Sequence, residues 1–118
     1  MPPMPVEPFQ VAGRAGANAD IHILSLKGAI TNASSGEFQD AVRAVAEPIL
    51  IVDLSEVPWV DSMAVGALVR AFVFCNKSGR KLALVGLNHR IKNVLHIVGV
   101  DALFNTYATV PEAESALN

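Results

Sequence analysis

The sequence of 118 residues predicts an α/β sandwich, a mixed central β-sheet with helices packed against it, in the element order ββαβαβαβα. Three observations point there. Short β-rich apolar runs alternate with stretches of helical apolar spacing. The run Ile49-Leu50-Ile51-Val52 is apolar at every position, the pattern of a strand covered on both faces. An opening pair of strands, joined by a turn over 13–20, precedes the alternation and makes the sheet mixed.

Each element follows in order. Ile21, Ile23, Leu24 and Leu26, closed by Gly28, read as a strand paired in a hairpin with a shorter one near Phe9 to Ala12. Ser34-Ser35-Gly36-Glu37 has the spacing of a capping box, and Phe38, Ala41, Val42 and Val45 follow at helical intervals, so a helix is expected over about 35–46. Pro48 stops it, and 49–52 becomes the central strand. A second helix begins near Ser62, with Val65, Leu68, Val69, Phe72 and Val73 inward and Arg70 and Lys77 outward, and ends at Ser78-Gly79. Leu82, Leu84 and Val85 form the next strand, closed by Gly86. A third helix over about 88–98 uses Ile91, Val94, Leu95 and Val98; a strand near Leu103 to Tyr107 and a short helix with Pro111 in its first turn complete the chain. The later strands are expected to be parallel, through right-handed crossovers.

Composition narrows the function classes. With 52% hydrophobic residues and one cysteine, the chain reads as one compact soluble domain over 9–118, behind a flexible Pro-rich leader at 1–8, in a reducing cytoplasm. Its longest stretch without Asp, Glu, Lys or Arg is 102–111, too short to span a bilayer, so no membrane insertion is expected. The net charge of −2 argues against direct nucleic-acid binding. The charge is uneven, however: residues 62–100 hold 6 basic groups and none acidic. Such a segment could meet an acidic partner or a nucleotide phosphate, or be no more than a solvated helix face.

The residues with chemical promise lie at Asp61-Ser62. They sit where a strand and loop lead into the second helix, so unpaired backbone donors and the helix dipole favour negative charge there. From position alone, either residue is simply a cap. A hydrolase nucleophile at Ser62 lacks the Gly-x-Ser-x-Gly elbow and its acid and base partners. His89 and His96 could share a face of the third helix, yet two histidines without a third ligand make no zinc site, and no metal is expected. Cys75 reads as a small buried hydrophobe, and Gly28, Gly86 and Gly99 as turns.

Ile51-Val52-Asp53-Leu54-Ser55 leading into Val60-Asp61-Ser62-Met63-Ala64-Val65-Gly66, with the tail from Ile91 through Gly99-Val100 to Phe104, Tyr107 and Pro111-Glu112-Ala113, resembles the STAS domains, and among them the free-standing anti-sigma factor antagonists. The resemblance covers nearly the whole chain and implies a STAS-like sandwich. It also implies phosphorylation of Ser62, with Asp61, Met63, Ala64 and Gly66 as its neighbours. Met63 stands where the family commonly has Ser or Thr, and Ala64 where Gly is usual. Gly28-Ala29-Ile30-Thr31 replaces a loop that often reads Gly-Glu-Leu-Asp. A partner surface is expected at Met63 and the loop of Gly28, Ala29, Ile30, Thr31 and Asn32, unless Met63 is instead a core contact.

The function so implied is a bacterial signalling switch without catalysis or cofactor of its own. It would bind an anti-sigma factor with serine-kinase activity, release a sigma factor to act in transcription, and be turned off by phosphorylation; homodimerisation stays open. Two alternatives are an accessory subunit of a lipid-transporting ABC system, where Ser62 is only structural, and a scaffold in a multi-protein STAS assembly.

Overall fold

The computed structural model describes residues 8–117, so the leader expected at 1–8 lies, but for Pro8, outside the described residues. Strands β1 (Gln10–Ala15), β2 (Ile21–Lys27), β3 (Ile49–Glu56), β4 (Lys81–Val85) and β5 (Asn105–Tyr107) form one sheet in the order β1-β2-β3-β4-β5. β1 and β2 are antiparallel and every later pair is parallel, so the sheet is mixed as the opening hairpin requires. The four helices are α1 (Ser35–Arg43), α2 (Ser62–Lys77), α3 (His89–Val98) and α4 (Val110–Leu117). This is the predicted order ββαβαβαβα.

Each parallel crossover steps one strand in the same direction, so right-handed connections place α1, α2 and α3 on one face. There Phe38, Val42, Leu68, Ile91 and Leu95 pack on Leu24, Leu50, Val52 and Leu84 in the main core. α4 covers the other face, where Ala113 meets Ile21, Ile23, Ile49, Ile51 and Val85. β3 is central, and all four residues of 49–52 are buried, because both faces of the sheet are covered at that strand.

Several boundaries differ from the sequence reading for local reasons. β1 starts later and runs longer than the expected 9–12, since Gly16 N–H donates to Ile21 O at 2.8 Å and tightens the hairpin turn. α1 ends at Arg43 rather than 46; Val45 N–H donates to Val42 O, three residues back, and Arg80 takes the Val45 carbonyl beyond the helix end. Ser34 does not cap α1. Its backbone is already helical, at φ −99° and ψ −6°, and its hydroxyl turns back to accept from Thr31 N–H at 2.9 Å. Between α3 and β5 a 3₁₀ turn, Asp101–Leu103, takes up Leu103, so the strand expected near 103–107 is limited to Asn105–Tyr107.

The inward stripe of α2 also differs. Ala64, Val65, Ala67, Leu68, Ala71 and Cys75 are buried, whereas Val69 and Phe72 are half-buried and Val73 is exposed. A helix pressed closely onto a sheet presents its small residues inward, so the larger apolar side chains on its flank are displaced outward. Val98 of α3 is likewise exposed.

Candidate functional site

The site grows from two loops at the carboxyl ends of β2 and β3. Gly28 leaves β2 with φ 89°, a left-handed conformation that side chains disfavour, and its N–H donates to Glu56 O at 3.1 Å. Two residues on, Ile30 forms a one-residue parallel bridge with Val60. Ile30 N–H donates to Trp59 O and Asp61 N–H to Ile30 O, both at 3.2 Å. These bonds fix the loop over 28–32 beside the start of α2.

Asp61 caps α2. Its backbone is extended, φ −85° and ψ 167°, and its Oδ1 accepts from Ala64 N–H at 2.6 Å. Ser62 is therefore the first residue of the helix and not its cap, and it is exposed. Met63 beside it is 67% exposed, which excludes the alternative of a core contact. Ala64 is fully buried, and its contribution to the site is the N–H held by Asp61. Gly66 lies one turn on, where an added Cβ would sit 3.3 Å from Arg70 Nη1.

The loop presents less side-chain surface than its sequence led us to expect. Ile30 is fully buried in the main core with Val60 and Leu54, and Gly28 is buried too, because the bridge to Val60 turns this stretch inward. Thr31 Oγ1 accepts from Ala33 N–H at 3.2 Å. Asn32 is the exposed residue of this stretch, and Ala29 and Thr31 are half-buried. Sequence reasoning passed over Phe9 and Trp59, which with Ala29, Thr31, Ser34 and Glu37 line an open depression of about 530 Å³ against this loop. The one signal for it was the lone tryptophan placed two residues before Asp61.

The other singled-out residues are dispersed. Cys75 is buried in α2, and burial pushes its thiol up, opposed by the charge of Arg80. His96 Nδ1 lies 2.9 Å from Asp101 Oδ2, and that hydrogen bond, chiefly, holds the Asp101 carboxyl below its usual range. Among the described residues, no three side chains of His, Cys, Asp or Glu converge as a metal site, and no helix is long and apolar enough to cross a membrane.

A mixed five-stranded sheet in sequential order, with α1–α3 on one face and a capped α2 start flanked by the β2–α1 loop, defines a STAS-type domain. The chain belongs to the STAS domain family, whose model matches residues 14–113. A relative in Thermotoga neapolitana, grouped with the anti-sigma factor antagonists as a homolog of TM1081, is 37% identical over 76 residues. The match spans 64% of this chain and 66% of the relative, just under two thirds of the relative's length. An anti-sigma factor antagonist of Mycobacterium paratuberculosis shares the fold at a TM-score of 0.76 and 22% identity, over 91% of this chain and 93% of that one. The anti-sigma factor antagonist SpoIIAA, solved in its unphosphorylated form, superposes with a TM-score of 0.70 at 16% identity, over 93% of this chain and 96% of its own.

Proposed function

We propose that this chain is an anti-sigma factor antagonist that works as a phosphorylation-controlled binding switch, with Ser62 as the modified residue. One observation carries the reading: Ser62 is exposed on the first turn of α2 while Asp61 already fills the cap, so the hydroxyl has no capping duty. The relatives grouped with the anti-sigma factor antagonists support an anti-sigma factor as the partner; that it is also a serine kinase is part of the proposal. Ser62 Oγ attacks the γ-phosphorus of the kinase's ATP and loses its proton; ADP leaves, with magnesium held by the kinase. The chain itself supplies the acceptor and a binding surface of Met63, Ala29 and Asn32.

Magnitudes choose how the switch acts. A phosphate adds about −1.5 to −2 charges. At a helix N-terminus that charge is favoured by roughly 0.3 to 1 kcal/mol, and Asp61 opposes it, so the fold hardly changes. At an interface the same group must leave water, and a loss of about 2.7 kcal/mol already weakens binding a hundredfold. Release therefore comes from repulsion and desolvation, not refolding.

The test is a pull-down from native lysate with wild-type and Ser62→Asp protein as bait, followed by phosphorylation by the recovered partner and intact mass. The reading expects a kinase bound by wild type and not by the aspartate variant, one phosphate on wild type, and none on Ser62→Ala. A phosphate on Ser62→Ala, or a membrane ATPase bound equally by both baits, overturns it. Amide shifts of the phosphorylated protein should change only near 59–66 and 28–32; shifts through 49–53 would refute the local mechanism.

A further inference from the structure

Gly66 stands inside α2, one turn after Ser62 and one turn before Arg70. A glycine within a helix weakens it relative to alanine, so its place here calls for a use. A Cβ added at Gly66 would sit 3.3 Å from Arg70 Nη1. The Arg70 side chain is therefore folded back toward the start of the helix, the direction in which helical side chains lean, and its guanidinium covers the bare backbone of Gly66. Ser62, Gly66 and Arg70 share one stripe, at i, i+4 and i+8. Cβ positions four residues apart are about 6 Å from each other. With the 3.3 Å contact, the guanidinium lies within about 9 Å of Ser62 Cβ, close to the screening length of about 8 Å in physiological salt.

Arg70 is exposed, and among the described residues it makes no hydrogen bond or ion pair. Along the chain it is the nearest cation after the acceptor, since neither 28–33 nor 59–69 contains Lys, Arg or His. Two carboxylates flank the acceptor's loops: Asp61 precedes Ser62, and Glu37 lines the depression against the 28–32 loop. The other charged groups on the elements packed against α2 are Asp40 and Arg43 on α1, Lys81 on β4, and His89, Arg90, Lys92 and His96 on α3, all exposed. The second proton of a phosphoserine ordinarily leaves near pH 6. A carboxylate beside the phosphate holds that proton on, and a cation helps to release it.

We propose that Arg70 pairs with the phosphate once Ser62 is modified, and keeps it doubly charged at neutral pH against the influence of Asp61 and Glu37. The proposal rests on Ser62 being the acceptor. The guanidinium leaves Gly66 and swings toward Ser62, onto the phosphate oxygens directly or through one water, and the second phosphate proton goes to solvent. A planar fork suits two oxygens where an ammonium offers only a point charge. Gly66 keeps the path open, because a longer side chain there would stand between the two groups. The modified surface then carries its full negative charge, and Arg70 is withdrawn from any carboxylate of a partner.

The test uses the full chain with phosphoserine installed at 62 during synthesis, so that no kinase is needed, and follows the ³¹P shift through the second ionisation at low salt. The second pKa is expected to be lower in the wild type than in Arg70→Gln by about 0.3 unit, the effect of one unit charge at about 9 Å in water. Arg70→Lys should fall between them, and Gly66→Leu should match Arg70→Gln. Lys77→Gln, which removes a like charge from the far end of α2, should leave the value alone. The Arg70 Nε–H signal should move with the same midpoint as the phosphorus. Equal values in wild type and Arg70→Gln, a silent Arg70 Nε–H, or a change in Arg90→Gln as large as in Arg70→Gln would overturn the pairing. A phosphate found on Ser62→Ala after kinase treatment refutes the acceptor, whereas a flat ³¹P comparison refutes the pairing, so the two fail separately.

Discussion

The starts of α2 and α3 share one local geometry and differ in what surrounds it. Each follows a parallel strand, and each is capped by a side chain that accepts from the N–H three residues on: Asp61 from Ala64 at 2.6 Å, Asn88 from Ile91 at 2.9 Å. Asn88 does more, because an amide also has donors. Its Nδ2 donates to Val57 O at 3.3 Å and Pro58 O at 2.9 Å, the loop that runs on to Asp61. The Asp61 carboxylate has only acceptors, and its bond to Ala64 N–H stays within its own helix. The first helical residues differ as well, Ser62-Met63 against His89-Arg90. A capped helix start is therefore not a site in itself; one of these two steadies the loop from which the other projects a hydroxyl and a thioether.

The largest effect that would break this contrast concerns charge. Ser62→Asp is expected to lower partner affinity at least a hundredfold, about 2.7 kcal/mol, with unfolding unchanged. His89→Asp, the matching substitution on α3, should leave affinity as it is; calorimetric titration of both variants decides, and equal losses would erase the distinction. Next, Asn88→Ala removes a cap and two loop bonds together and should cost about 2 kcal/mol in denaturant unfolding. Asn88→Asp keeps the cap but not the donors, so an intermediate cost separates the brace from the cap. Asp61→Ala, a cap alone, should cost about 1 kcal/mol. Ser62→Ala should stay within about 0.5 kcal/mol, since its hydroxyl caps nothing.

The smallest effect lies at the far end of α3. The Asp101 carboxyl is held low mainly by its hydrogen bond to His96. A lowered carboxylate stabilises the fold above its unfolded pKa, and the contribution fades as pH falls through the folded value. Asp101→Asn should therefore flatten the acid limb of a stability profile slightly below about pH 4 and leave neutral pH nearly unaltered. Because Asp101 is exposed, a large change would contradict the described geometry.

Strand placement was legible because 49–52 can only be covered on both faces, and because turns and a proline bound each run. The α2 stripe was harder to read. Val65 and Leu68 face inward as the large apolar residues suggested, yet Ala64, Ala67, Ala71 and Cys75 fill the rest of that face in place of Val69, Phe72 and Val73, since the distance between helix and sheet is a tertiary quantity. The Ser34-to-Glu37 spacing fits a capping box, but the Thr31 turn competes for the hydroxyl and wins. At the site, the loop and helix start could be named from Asp61-Ser62. That Ile30 faces inward depends on its bridge to Val60, a pairing across thirty residues that local pattern does not encode.

The sequential strand order bears on how the molecule is made. Every strand after β1 pairs with the one synthesised just before it, so a growing sheet always offers its newest edge to the next segment. No strand need be held open for a later arrival between two others, as sheets with inserted strands require. Assembly can keep pace with translation, with β5, three residues long, and α4 joining after β4. A nascent chain extended through α3 would then already carry the β3–α2 junction with Ser62 and its brace from Asn88, so the candidate switch would form before β5 and α4 are added.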